Sequence, residues 1–536
     1  MQRREFLTLS VAAAAALLTG CGPRAESRGA GSENLTPKYE PLSETLGLKY
    51  RSLPIPQLLV GTGSGTPDDI KQYDLTIHEA QHSFFTEAQT PTYAVNTTYL
   101  GPTLLIKNGE SVSINYTNRL SENITMHGHG LHVPPGMDGT PWQTINPGST
   151  WSSQFTVKQQ ASTAWYHPHT LHKTAQHVYK GIAGMIIVED DKSAKLNLPK
   201  RYGVDDIPLV LQDRRFDSNA NIVYSPSRME IMMGYVGDTF IVNGAIDPTF
   251  DAEAKEIRFR ILNGSNSTMY NLGFSDGRSF KQIATDSGFL ETPVTLTRLT
   301  LSPAERAEIV VDLTNDLNKS LSLMEYNYDQ KFLTINVSKT AQSATVLPNV
   351  LTTLSSLETP VRERTFNLGV DMSPGKMIRE GKMNLTINGA SMDRSVVNEI
   401  VPVNQTEKWI IHNLMPMNHN FHIHATHFQV IERNGSTANI PSNEHGYKDT
   451  VHIPPRESVS ILIKMTDYTD NTVPYMYHCH FLEHEDSGMM GQFTVQNNPN
   501  QSGPGQSGID QKNSDQHDSG RDPGSGSGSG RGPGSG

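Results

Sequence analysis

The chain has 536 residues, too many for one ordinary domain and enough for about three. Its 44 basic against 55 acidic residues make a mildly acidic balance that argues against a nucleic-acid-binding surface. Aliphatic strand formers alternate with many Gly, Pro, Asn and Asp, as in an all-β chain with frequent turns.

The N-terminus reads MQRREFLTLSVAAAAALLTGC. Arg3 and Arg4 form a twin-arginine pair, followed by Phe6, Leu7 and an apolar run too short to span a bilayer as a helix. This is the pattern of an export signal. The run closes on Leu18-Thr19-Gly20-Cys21, which resembles the bacterial lipobox. That resemblance implies cleavage before Cys21 and lipid attachment to its sulfur; the alternative is plain cleavage nearby, with Cys21 lost. Residues 1–21 are thus expected to be a twin-arginine lipoprotein signal and 22–54 a flexible leader. The expected location is periplasmic or cell-surface, with membrane attachment only through Cys21. Twin-arginine export carries folded proteins, often with their cofactor, which hints at a metalloprotein. The one other cysteine is Cys479; the two could pair in principle, but each sits in a context that explains it separately.

Three similar units follow, expected at 55–195, 196–350 and 351–497, with LNLPKRYG and SATVLPNVLTTLSS as linkers. The first carries the alternating run SVSINY, then His127-Gly128-His129-Gly130, then Trp165-Tyr166-His167-Pro168-His169 followed by Gly181-Ile182-Ala183-Gly184 and Val188. The second carries Val242-Asn243-Gly244 and the run RFRILN, but no histidine. The third carries His419-Asn420-Phe421-His422-Ile423-His424, then Met476-Tyr477-His478-Cys479-His480 followed by Gly488-Met489-Met490-Gly491 and Val495. Asn96 precedes His127 by the same interval as Asn388 precedes His419, and INYTN and IIHN lie between them. These matches describe a threefold repeat of one β unit, with turns at Asn108-Gly109, Asn263-Gly264 and Asn434-Gly435. Residues 498–536 are Gly/Ser-rich with almost nothing to bury, a disordered tail.

No histidine occurs between His177 and His412, so the two ends of the body are expected to build one site jointly. Four His-x-His pairs stand out: His127/His129, His167/His169, His422/His424 and His478/His480. Chance would supply roughly one such pair. On a strand, residues i and i+2 share a face, so four strands can converge eight imidazoles. Imidazole suits copper, iron and zinc, and eight exceed what one ion needs. Cys479 selects the metal: its sulfur points away from its two histidine neighbours. A thiolate, two histidines and a weak axial methionine make an electron-transfer copper site. His419, His484 and Met489 are placed to complete it, whereas the first unit has Pro168 and Ile182 at the positions of Cys479 and Met489.

Over roughly residues 55–497 the chain resembles a three-domain bacterial multicopper oxidase of the laccase and cuprous-oxidase kind. The resemblance implies three consecutive cupredoxin-like Greek-key β-sandwich domains and four coppers per chain. It implies that His127 and His422 hold the type 2 copper. His129, His167, His169, His424, His478 and His480 would hold the type 3 pair, and His419, Cys479, His484 and Met489 the mononuclear blue copper. Electrons would pass one at a time from a reductant through Cys479 to the three-copper cluster, where dioxygen becomes water. Asp138 and Glu485 would relay protons. Asp449 resembles a family position that steadies the blue-copper loop. Two departures are Gly128, where tryptophan is usual, and Asn420, where proline is usual; neither removes a ligand. Among His132, His172, His177, His412, His427, His445 and His452, one or two are expected to orient ligands.

The reductant is expected to be a small phenol or aromatic amine. Cu(I) is the close alternative, because Met372, Met377, Met383, Met392, Met415 and Met417 cluster before the third-unit ligands and thioether suits Cu(I). A copper-binding electron carrier would need only the blue site. A copper-free envelope protein would have lost ligands, and a copper nitrite reductase would have histidine on one flank of the cysteine only.

Overall fold

The computed structural model describes residues 46–341, 346–355, 358–371 and 384–497. The signal 1–21 with Cys21, most of the leader, Met372, Met377, Met383 and the tail 498–536 lie outside the described residues. Residues 46–54, the end of the expected leader, are pinned to the folded body. Leu53 is buried among the second unit's core residues, and its N–H donates to the Thr249 carbonyl at 2.7 Å.

The body is three successive β-sandwiches of cupredoxin type. The first packs a sheet holding His127–His129, Ser162–His167 and Gly184–Glu189 against one built on Lys71–His82 and Ser111–Asn118. The third packs a sheet holding His419–Ile423, Asp470–His478 and Met490–Gln496 against one built on Arg362–Val370 and Thr406–Asn413. The middle sandwich follows the same plan on Asp206–Arg214 and Glu256–Asn263. In each unit two of these strands run parallel: Lys71–His82 with Ser111–Asn118, Asp206–Arg214 with Glu256–Asn263, and Arg362–Val370 with Thr406–Asn413.

The repeat extends to individual side chains. Asn96, Asn243 and Asn388 all sit at left-handed φ (58°, 50° and 54°), which asparagine tolerates. Each carboxamide closes the same backbone loop, accepting from Thr76, Val210 or Asn367 N–H. The strand-ending Asn118, Asn263 and Asn413 likewise donate into the following turn, to the carbonyls of Glu122, Thr268 and Met417, and across to those of Ile145, Leu301 and Ile453. Short polar side chains that satisfy loop backbone internally explain why these asparagines recur in all three units.

The sandwiches are joined by buried charge as well as apolar contact. Arg260 pairs with Asp206 (2.8 Å) and Glu308 (2.8 Å) and also donates to Thr163 Oγ1 of the first sandwich at 2.9 Å. Arg258 binds the other Glu308 oxygen, and together the guanidinium groups hold the Glu308 carboxyl down to about 2, despite the burial that opposes it. Glu308→Gln therefore leaves buried Arg258 without its close carboxylate and Arg260 with Asp206 alone, at an expected cost of about 3 kcal/mol near neutral pH. The urea midpoint should fall accordingly. Because the folded pKa is depressed, the deficit should be full above the ordinary carboxylate range near ~4.3. It should shrink as pH falls through about 2.

Candidate metal centre

Strand pairing sets histidines directly opposite each other. His127 faces His167 in the first sandwich, and His422 faces His478 in the third. Only His127 and His129 lie wholly on a strand. The other three pairs run over a strand end, placing His169, His424 and His480 just beyond it. This differs from the expectation of four regular strands. Pro168 has no N–H for a ladder, and Ala425 turns the chain at φ 56°, so the pairing stops there.

All eight rings are buried and meet in one place. His169 Nε2 and His424 Nε2 lie 3.2 and 3.1 Å from His478 Nε2, forming one triad. His129 Nδ1 and His480 Nε2 each lie 3.4 Å from His167 Nε2, forming a second. His127 and His422 remain, and the Nε2 of each is buried with no hydrogen-bond partner. Burial and neighbouring rings depress the pKa values of His129, His167, His169, His422, His424 and His480 well below the usual imidazole range. His478 is pushed down to about 3. These rings are therefore neutral at ordinary pH, each with one N–H and one lone pair.

The N–H groups are directed outward. His127 Nδ1 donates to the Asp138 carbonyl at 2.6 Å, and His422 Nδ1 to the Asp449 carbonyl at 2.8 Å. His424 Nδ1 donates to Asp138 Oδ2 at 2.7 Å, and His129 Nε2 to Asp449 Oδ1 at 3.0 Å. His167 Nδ1 and His478 Nδ1 donate to the carbonyls of Pro168 and Cys479. What faces inward is a set of lone pairs, a poor hydrogen-bonding arrangement and a fit ligand set for nitrogen-seeking ions. Of the expected proton carriers, Asp138 keeps Oδ1 without a hydrogen-bond partner. Glu485 has both oxygens without one, 3.5 Å from His169 Nδ1 and 3.3 Å from His478 Nδ1. Burial raises the Glu485 carboxyl well above its ordinary range.

The second site lies on the other side of Cys479. Its Sγ is 3.4 Å from His419 Nδ1 and 3.6 Å from His484 Nδ1, and Met489 belongs to the same buried cluster. His484 Nε2 donates outward to the Met232 carbonyl at 3.0 Å. That carbonyl belongs to the short helix Arg228–Met233 of the histidine-free sandwich. With no cation beside it, burial pushes the Cys479 thiol up to about 12. A metal bound here must therefore displace the thiol proton, which ligand-set chemistry permits.

Three features escaped the sequence. Asp449 does not serve the blue-site loop alone: its side chain and carbonyl hold His129 and His422. Asn420 is more than a packing change, since its Oδ1 accepts the His480 N–H at 2.6 Å while Nδ2 donates to the Pro303 carbonyl at 2.8 Å. The middle sandwich also supplies the Met232 carbonyl and, at Asp449, Arg306. The sequence did not announce these contacts, because the partners are distant in the chain: His129 lies 320 positions from Asp449, Pro303 lies 117 from Asn420 and Met232 lies 252 from His484. At Gly128, a Cβ would meet Leu131 Cδ1 at 2.7 Å, so leucine fills the space beside it. His427 and His132 bond to backbone carbonyls (Gly130 and Ala425) rather than to the cluster.

Comparison with known proteins places this geometry among relatives. Family profiles described as multicopper oxidase match residues 76–193 and 359–499. A Staphylococcus epidermidis protein named multicopper oxidase mco is 36% identical over 433 residues, covering 80% of this chain and 89% of its own. The cell division protein FtsP of Xenorhabdus nematophila is 36% identical over 463 residues, covering 83% and 92%. A crystallised laccase-like multicopper oxidase, CueO from Ochrobactrum sp., with oxidase activity towards lignin model compounds, superposes with a TM-score of 0.76 at 34% identity. It covers 83% of this chain and 100% of that one.

The burial of Cys479 makes a simple prediction. In metal-free folded protein at about pH 8, a thiol reagent should leave Cys479 unmodified, because neither access nor thiolate is present. Unfolding in urea should release the thiol to react. Rapid labelling of the folded form would contradict the enclosed geometry.

Proposed function

The chain belongs to the multicopper oxidase family, and on that premise we propose that it oxidises small phenols or aromatic amines one electron at a time and reduces dioxygen to water. In this reading His127 and His422 hold a type 2 copper, while His129, His167, His169, His424, His478 and His480 hold a type 3 pair. His419, Cys479, His484 and Met489 hold the blue copper. Copper bound there would supply one-electron oxidation at the single site and four-electron reduction of dioxygen at the cluster. The observation that carries the reading is the pair of imidazole triads beside two unpartnered Nε2 atoms, joined to the Cys479 sulfur site through its neighbours His478 and His480.

The chain's own part is to bind, orient and supply protons. Cys479 lies between His478 and His480 in sequence, so a short stretch of covalent chain joins the two sites. Asp138 orients His424 with one oxygen and keeps the other free to hold a proton at the cluster. Glu485 stands on the other side, against His169 and His478, with both oxygens free. Burial favours its protonated form, and a general acid at the cluster must give up a proton as oxygen is reduced. The export signal and Cys21 support delivery of the folded protein to the periplasm or cell surface, held there by lipid.

The phenolic reading takes support from the lignin-model activity named for the Ochrobactrum relative. Cu(I) is the second reading, favoured by the helix that caps His484. Met229 and Met233 stand one turn apart on it, 57% and 43% exposed, and thioether is a soft ligand. A cell-division role like the one in the FtsP name would not need copper ligands, and all twelve are present here. Electron carriage alone would leave the eight cluster histidines without a purpose.

Copper-loaded protein should contain about four ions per chain; a single ion would sink the oxidase reading. Cys479→Ser should abolish the blue absorption and turnover while the cluster coppers stay bound. Phenol oxidation at the parental rate in that variant would rule out the route through Cys479. Glu485→Gln should lower kcat by about 10²–10⁴, the range for a lost proton-transfer group, with copper content unchanged; Asp138→Asn should lower kcat and also loosen cluster copper, because the carboxylate that holds His424 is lost. Steady-state rates with Cu(I) and with a simple phenol, each with and without added Cu(II), decide between the two reductants.

A further inference from the structure

Arg306, on the strand Arg306–Asp312 of the histidine-free sandwich, is fully enclosed and spends all five N–H groups. Nε donates to the Thr163 carbonyl of the first sandwich at 2.8 Å. Nη1 reaches the Ala304 carbonyl at 3.1 Å and Asp449 Oδ1 at 2.7 Å, and Nη2 reaches the Asp286 carbonyl at 3.0 Å and Asp449 Oδ2 at 2.5 Å. One guanidinium thus ties together three sandwiches and grips Asp449 bidentately. In turn Asp449 accepts His129 Nε2 at 3.0 Å and, through its carbonyl, His422 Nδ1 at 2.8 Å.

Asp138 is its counterpart on the opposite side. Its carbonyl holds His127 and its carboxylate holds His424. The rings so held stack in matching pairs, His127 on His424 with centroids 3.9 Å apart and His129 on His422 at 3.7 Å. The two aspartates differ in one respect. Asp138 has no arginine and leaves Oδ1 without a hydrogen-bond partner, while Asp449 has both oxygens engaged. His129 also differs from the rings held by Nδ1, turning Nδ1 toward the cluster and Nε2 outward.

We propose that Arg306 is a positioning residue of the cluster, locking Asp449 as a fixed acceptor so that His129 presents Nδ1, and His422 presents Nε2, to metal. The inference rests on the multicopper-oxidase reading and gives the histidine-free domain a part in it. It also explains the second glycine of the His127-Gly128-His129-Gly130 motif. Gly130 has φ +82°, and a Cβ there would lie 2.6 Å from Arg306 Nη2 and 2.8 Å from Asp449 Oδ2. Only glycine leaves room for the pair.

The test compares copper-loaded parent, Arg306→Met, Arg306→Lys and Asp449→Asn under dialysis against graded chelator. Copper per chain, the type 2 paramagnetic signal, the type 3 near-ultraviolet absorption and the blue absorption are followed together. Losing an outer partner of a ligand should weaken the hold on cluster copper about 10–100-fold. The blue absorption should persist at parental chelator levels. Lysine, which keeps the charge but not the fork, should restore the signals only in part. Asp449→Asn changes almost no volume, so it carries the test if Arg306→Met does not fold. Variants whose cluster signals survive as in the parent would overturn the proposal. Loss of blue and cluster signals in parallel would also overturn it, marking Arg306 as a general bolt between domains. A parent that binds blue copper but no cluster copper would overturn the oxidase reading and the clamp with it.

Discussion

A neutral imidazole has one N–H and one lone pair, and buried in a protein core it cannot leave the N–H unpaired without cost. The centre of this molecule is organised by that constraint. Around the cluster, six of the eight rings direct an N–H to a backbone carbonyl or to the carboxylate of Asp138 or Asp449, while His169 Nδ1 faces Glu485 at 3.5 Å and His480 Nδ1 is buried without a partner. Lone pairs then have only one direction left, toward one another. Neutrality is secured by burial, which pushes the rings far below their ordinary pKa, so the site does not fill with mutually repelling imidazolium ions. The same burial keeps the Cys479 thiol protonated until a cation arrives.

The three sandwiches divide this work. The outer two supply the clustered histidines and Cys479, from matching strands whose pairing puts His127 opposite His167 and His422 opposite His478. The middle one supplies fixed partners: the Arg306 fork, the Met232 carbonyl under His484 and the Pro303 carbonyl that orients Asn420. Its own ends are sealed by the buried Arg258, Arg260, Asp206 and Glu308 cluster, charges that hold position because each is paired. A spacer in composition is thus a template in geometry.

Much of this was legible in the sequence because it was written locally. His-x-His spacing, the lone cysteine between two histidines, and asparagines at equal intervals are short-range signals, and the repeat multiplied them. The same repetition pointed to three β units, and the resemblance to multicopper oxidases implied that each is a sandwich. What could not be read was long-range. Nothing around Asp449 announces Arg306, which is 143 residues away in the chain. Asn420 reads as a missing proline until its carboxamide is seen bridging His480 and Pro303. The period-two reading of the histidine pairs also overreached, since three of the four cross a strand end. The methionines near Met372 drew attention by clustering, while Met229 and Met233 gained significance only from standing on the helix whose Met232 carbonyl accepts from His484.

The central claim is that the Cys479 site and the histidine cluster act as one redox unit. It is tested most directly by titrating the copper-loaded protein anaerobically with a one-electron donor and then admitting a measured amount of dioxygen. The account predicts uptake of about four electrons per chain, with bleaching of the blue absorption, and its full return on about one equivalent of dioxygen. Uptake of a single electron, or a blue absorption that fails to return with oxygen, would contradict it.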